Sequence, residues 1–270
     1  LQALMPTAAF ADGPVDIEVT GGTDNPLAIP IDFLENVTLP TLRRMGYRGE
    51  VERIRRGHYP RGGGAIRARI QPVERLKALN LIEPGKVASI KGISHCVRLP
   101  KRIAVRQAHA AKRALLKAGY TVDIKTEFYK PGKDLHLGPG TGIVLWAETE
   151  RGAVLGSSSL GRRGKPAENV GKEAAQILVE QLRTGCAVDR WLMDQLVPYL
   201  ALGQGKSEIT CAELTSHAVT NIELVEKILG VKFEVQGGLG EPARISVEGI
   251  GFRKNSSEPR RLLSLPSPSE

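Results

Sequence analysis

Apolar and polar residues alternate with two distinct periods along this 270-residue chain. Val15-Asp16-Ile17-Glu18-Val19 switches at every position, the pattern of a strand with one buried face, and runs into the loop Gly21-Gly22-Thr23-Asp24-Asn25-Pro26. Phe33, Leu34, Val37, Leu42 and Met45 then recur at helical spacing, with Pro40 expected to distort the helix. Two strands are expected at residues 49–54 and 65–70, joined through Arg61-Gly62-Gly63-Gly64. At the front, Leu1-Gln2-Ala3-Leu4-Met5 reads as the last turns of an amphipathic helix that began earlier, as in a fragment.

The same order returns near the other end. A helix is expected over residues 189–202, a strand at 208–212, a loop at 213–220, a helix carrying Ile222, Val225 and Ile228, and strands at 232–235 and 243–248. Two copies of a helix-strand-helix-strand-strand unit predict an α/β (α+β) fold in which stacked repeats form a large domain. Between the copies lie expected strands at 87–93, 122–128 and 143–148, an edge strand at 154–159, and helices at 101–118 and 166–182 with Gly185 past the second. This block reads as a smaller inserted α/β domain. The expected divisions are residues 1–81 for the first visible repeat, 82–185 for the insert and 186–252 for the last repeat. Residues 253–270 are expected to form a disordered tail.

Composition narrows the partners. A hydrophobic share of 41% suffices for a sizeable core, and a formal net charge of +9 favours a polyanion. Nine arginines between Arg43 and Arg69 meet only Glu50 and Glu52, which suits either RNA contact or a solvated basic face. Cys96, Cys186 and Cys211 are far apart and form no CxxC pair, so a reducing cytoplasm is expected and a zinc cluster is not. No apolar run approaches the roughly 20 residues that cross a bilayer, so no membrane partner is expected.

His217 lies in Thr215-Ser216-His217-Ala218-Val219-Thr220-Asn221, read as a loop ahead of a helix that opens with the capping box Thr220-x-x-Glu223. Free N–H groups at such a helix end can hold a phosphate beside an imidazole able to attack it. The spacing by itself favours an ordinary loop histidine. Trp191, Asp194 and Gln195 share one helical face, suited to stacking on a base and bonding a ribose, or else to a half-buried indole among solvated polar groups. His58-Tyr59-Pro60-Arg61-Gly62-Gly63-Gly64 can be a phosphate loop or a plain hairpin. Gly138 to Gly142 and Gly161 to Lys165 read as turns, since neither has P-loop spacing. His58, His95, His109 and His136 stand isolated in the sequence, none at a recognised metal spacing from a carboxylate, so no zinc site is expected of them.

Phe10-Ala11-Asp12-Gly13-Pro14, Gly21 to Pro26, Tyr59 to Gly64, Asp194-Gln195-Leu196 and Ser216-His217 with Thr220-Asn221-Ile222 follow one another as the motifs of one family do. The chain resembles the RNA 3'-terminal phosphate cyclases from Leu1 to about Phe252. The resemblance implies ATP-dependent conversion of an RNA 3'-phosphate to a 2',3'-cyclic phosphate, with ATP and a divalent metal, Mg or Mn, as cofactors. It implies His217 as the adenylylated nucleophile, Trp191, Leu192, Met193, Asp194 and Gln195 at the adenosine, and Gln2 as a further ATP contact. Trp191 stands where relatives often have tyrosine. Such enzymes normally carry about one hundred residues before the position of Leu1, one more repeat, so no metal ligand is assigned. Two rival readings remain: the non-catalytic, cyclase-like branch that binds RNA in ribosome biogenesis, and a sugar-phosphate enzyme on a related repeat fold. Retention of His217 argues against the first and the TSHxxTNI segment against the second.

Overall fold

The computed structural model describes residues 1–130 and 132–254. The first copy of the repeat comprises α1 (Met5–Ala8), β1 (Val15–Gly21), α2 (Ile31–Phe33), a π-helical turn (Leu34–Thr38), α3 (Leu39–Arg44), β2 (Arg48–Arg55) and β3 (Gly64–Gln71). A short β4 (Asn80–Leu81) precedes a block of β5 (Val87–Val97), α4 (Arg102–Lys117), β6 (Asp123–Phe128), β7 (Gly140–Thr149), β8 (Val154–Leu160) and α5 (Ala167–Arg183). The second copy has α6 (Arg190–Leu202), β9 (Gln204–Cys211), α7 (Ser216–Leu229), β10 (Phe233–Gln236) and β11 (Ala243–Ile250).

The two copies share a topology as well as an order. In the first sheet β3 lies between β1 and β2, and in the second β11 lies between β9 and β10, all antiparallel. In each, the last strand of the unit takes the centre. β4 adds to the second sheet, parallel to β9. The middle block forms its own sheet in the order β6-β5-β7-β8, with β5 and β6 parallel and α4 packed on α5. β8 is at the edge, where an edge strand was expected at residues 154–159.

Phe33, Leu34, Val37, Leu42 and Met45 are all buried, so the helical stripe reads as expected. Pro40 disturbs it in a definite way. With no N–H to donate, Pro40 cannot join the ordinary ladder, and the chain passes through the π-turn before α3 resumes around it. Pro6 similarly occupies the first turn of α1, so the front segment begins a short helix at Met5 where the closing turns of a longer one were expected. Of the expected tail, residues 255–270 lie outside the described residues. Arg253 and Lys254 pair with Glu74 and Asp12, and Phe252 meets Phe10 edge-on at 4.7 Å.

Asp189 joins the middle block to α6. Its fully buried carboxylate caps α6 by accepting from the N–H groups of Trp191 and Leu192, each 2.9 Å away, and reaches the Gly156 N–H on β8 at 2.8 Å. Burial pushes its pKa up to about 7, against the pull of those three donors. Asp189→Ala removes a cap and orphans the Gly156 N–H inside the protein, an expected loss of about 2–4 kcal/mol in chemical denaturation. Asp189→Asn keeps the accepting oxygen for the cap but sets an NH2 donor against the buried Gly156 N–H, and is expected to lose about 1–3 kcal/mol.

Candidate active site

A cleft of about 1400 Å³ opens beside α6 and α7 and takes in Gln2, Trp191, Asp194, Gln195 and His217 from three parts of the sequence. The loop Asn25 to Pro30 forms another wall. Hydrogen bonds fix the polar groups. Gln195 Oε1 accepts from Gln2 Nε2 at 2.7 Å and from Thr38 Oγ1 at 2.8 Å, while Gln195 Nε2 donates to the Trp191 carbonyl at 2.9 Å. The amide is thus held in one orientation, and Gln2 is tied to α6 across nearly the whole chain. Trp191, half-buried, has the Arg190 guanidinium 4.3 Å from its ring centroid and the edge of Phe33 at 6.1 Å.

His217 lies in the first turn of α7, which begins at Ser216 and not after Thr220. Thr215 is the cap, its Oγ1 accepting from the Ala218 N–H at 3.0 Å. The reason is long-range: Leu214 bonds to Glu241 and Gly240 through the backbone, which fixes where the chain leaves the sheet and brings Thr215 to the helix end. Thr215 also donates to Asp194, and Asn221 Nδ2 donates to the Asp194 carbonyl at 2.9 Å, so the N-terminus of α7 is clamped to α6. Burial raises the Asp194 pKa, opposed by the Thr215 hydroxyl and by the nearby His217. His217 itself is exposed to the cleft. An imidazole beside free helix N–H groups can approach a phosphate that those groups hold.

Two residues expected at the adenosine fall elsewhere. Leu192 and Met193 are completely buried in the core, because successive helical positions turn away from the face that carries Trp191, Asp194 and Gln195. Two residues that sequence reasoning missed join the cleft: Arg162 and Lys165, in the turn before α5. Lys165 Nζ donates to Ser159 Oγ at 3.0 Å and pairs with Glu173. Their signal was present as cations within a glycine-rich turn. In the His58 to Gly64 segment Gly62 supplies a left-handed turn at φ +59°, while Gly64 serves close packing: a Cβ there would lie 2.6 Å from the Thr23 methyl and 2.7 Å from the Gly57 nitrogen.

The arginine-rich stretch is not a uniform RNA face. Arg56 is 1% exposed and binds Asp32 at 2.7 Å and Glu127 at 2.9 Å, while Arg53 makes a bidentate pair with Glu127 at 2.8 Å. Arg67 and Arg69 pair with Glu18 and Asp16 across the β1–β3 ladder. Nor are the histidines isolated. His58 and His95 are buried with their Nε2 atoms 3.2 Å apart, one from the loop after β2 and the other from β5, a meeting that spacing along the chain does not reveal. Gly140 and Gly142, expected in a turn, belong to β7, and a Cβ on Gly140 would overlap the His58 ring.

The family model described as RNA 3'-terminal phosphate cyclase matches residues 1–235. The chain is 49% identical to the RNA 3'-terminal phosphate cyclase of Methanopyrus kandleri over 252 residues, covering 93% of this chain and 72% of that one. It is 47% identical to the Ignicoccus hospitalis protein of the same name, covering 94% and 72%, and 48% identical to that of Pyrococcus abyssi, covering 92% and 70%. With its paired repeats and its histidine-bearing cleft, the chain belongs to the RNA 3'-terminal phosphate cyclase family.

Proposed function

We propose that the cleft between α6 and α7 is where this enzyme converts an RNA 3'-phosphate to a 2',3'-cyclic phosphate with ATP, and that His217 carries the adenylyl group between the two substrates. The observation that carries this reading is the exposed His217 in the first turn of α7, in one cleft with Gln2, Trp191, Asp194 and Gln195. A ring nitrogen of His217 attacks the α-phosphorus, forming an N–P bond as pyrophosphate leaves. An oxygen of the RNA 3'-phosphate then attacks the same phosphorus and releases the imidazole. The neighbouring 2'-hydroxyl finally attacks the 3'-phosphate, gives up its proton, and expels AMP. Held on adjacent carbons, the last nucleophile has a large proximity advantage.

This chain's residues have separable tasks in that scheme. Trp191 offers a ring surface to adenine, Gln195 and Gln2 offer amides, and the α7 N–H groups with Arg162 and Lys165 stabilise phosphoryl oxygens. A divalent ion, Mg or Mn, would add charge stabilisation to the phosphates. Among the described residues, the cleft carboxylates Asp194 and Glu173 are engaged with Thr215 and Lys165. Trp191→Ala is expected to raise the KM for ATP about 5- to 100-fold with a smaller change in kcat, the range of one lost base-stacking contact.

Cys96, Cys186 and Cys211 are free and buried, which supports a reducing compartment such as the cytoplasm. Among the described residues no helix is long and apolar enough to cross a membrane. The function is tested by incubating a 3'-phosphorylated oligoribonucleotide with the protein and ATP. The expected product has a 3' end that resists phosphatase and forms only with ATP. An end that remains phosphatase-sensitive overturns the reading.

A further inference from the structure

Beneath the Asn25 to Pro30 wall of the cleft, the structure closes over a second constellation, outside the proposed chemistry. Asp24, His58 and His95 come from the loop after β1, the loop after β2, and β5, and all three are buried, at 1%, 6% and 0% exposure. Their ligand atoms converge within 4.8 Å of one another. The His58 and His95 Nε2 atoms are 3.2 Å apart, and Asp24 lies 3.6 Å from His95 Nε2 and 4.0 Å from His58 Nε2. Ligands around tetrahedral zinc, at about 2.0–2.1 Å from the ion, stand roughly 3.3 Å apart, so a small contraction of this triangle admits the ion.

We propose that Asp24, His58 and His95 form a buried binding site for a divalent transition metal, zinc being the best match to two imidazoles and a carboxylate. Three observations besides the distances support it. His95 Nδ1 has no hydrogen-bond partner and faces Asp32 at 3.9 Å, the carboxylate towards which a metal-bound His95 would turn its outer N–H. Gly140 and Gly142 on β7 leave the space that the two rings fill. With its carboxylates ionised, the ion-paired set of Asp24, Asp32 and Glu127 against Arg53 and Arg56 totals three negative and two positive charges. A neutral imidazole–imidazole hydrogen bond accounts for the 3.2 Å separation but leaves one negative charge in excess, whereas a divalent cation neutralises that excess and brings the set to one positive charge.

Bound there, the ion would fasten the loop that walls the cleft to the middle sheet, since Asp24 directly precedes Asn25 and His95 is on β5. The site is closed to solvent, so uptake is expected during folding. The protein is therefore produced in medium containing zinc or cobalt, stripped of loosely held metal with chelator, and analysed by elemental mass spectrometry. About one equivalent of metal per chain is expected. X-ray absorption on the zinc protein should show N/O scatterers at about 2.0–2.1 Å with outer-shell scattering from two imidazoles. In refolded protein, free zinc at about a hundred times its Kd should raise Tm by about 5–10 °C over the same chain refolded with chelator. His58→Gln and His95→Gln, each shown folded by circular dichroism, should retain less than about a tenth of the wild-type metal. Wild-type protein without tightly held metal under both loading regimes overturns the proposal, as does a zinc spectrum lacking imidazole scattering. Because neither variant changes His217 or α6, failure here leaves the cleft assignment standing, and failure of the cyclisation assay leaves this one standing.

Discussion

His217→Ala is expected to lower cyclisation turnover by about 10⁴-fold or more, the scale on which removal of a covalent nucleophile acts, while ATP affinity changes only a few-fold. The asymmetry follows from where the side chain sits. His217 is exposed to the cleft, and the cap of α7 belongs to Thr215, so truncation leaves the helix start, the Thr215–Asp194 contact and the α6 clamp in place. Alanine in the first turn costs little, and the stability change should stay within about 0.5 kcal/mol. Single-turnover cyclisation with ATP titrations and a denaturation curve on the same preparation check both halves. A variant that loses ATP binding as severely as turnover would make His217 a binding residue.

Glu127→Ala should be among the most destabilising substitutions in the chain, at about 2–4 kcal/mol, because it removes the carboxylate that both a buried Arg56 and a half-buried Arg53 donate to and leaves them only Asp24 and Asp32. Glu127 accepts from Arg53 and Arg56 and from the Tyr129 hydroxyl at 2.7 Å. Burial alone would raise its pKa, but the hydrogen bond and charge of Arg56, with Arg53 behind them, bring it down to about 2. A folded-state pKa below the unfolded value contributes stability that is fully present above pH 4.5 and is lost as the pH falls through about 2. The contribution is on the order of 3 kcal/mol. The gap between wild type and Glu127→Ala in urea denaturation should therefore be full at pH 7 and narrow steadily from pH 4.5 downward. A gap independent of pH would place the destabilisation in lost packing.

Much of this architecture was legible because its signals are local. The Val15 to Val19 alternation, the Phe33–Leu34–Val37 stripe and the recurrence of strand and helix order each depend on residues a few positions apart, and the paired sheets carry them in the same arrangement. The face of Trp191, Asp194 and Gln195 was equally readable, since helical geometry alone places them together. What escaped depends on distant pairing. Thr220-x-x-Glu223 is the stronger local cap signal, yet Thr215 caps α7 because Leu214 is held by Gly240 and Glu241. β9 begins at Gln204, earlier than its own pattern implies, because Ile250 on β11 supplies its partner. The His58–His95 contact and the Arg53–Arg56–Glu127 cluster likewise require β2, β5 and β6 to be assembled, and charge counted along the sequence cannot separate a buried arginine from a solvated one.

The central claim, that His217 carries the adenylyl group, is tested most directly by incubating the protein with α-labelled ATP and a divalent ion, resolving it on a denaturing gel, and mapping the label to a peptide. The account predicts label on wild type within the peptide that contains His217, lost in acid as a phosphoramidate is, and none on His217→Ala. Label that persists in the variant, or a wild-type protein that cyclises RNA without ever becoming labelled, would contradict it.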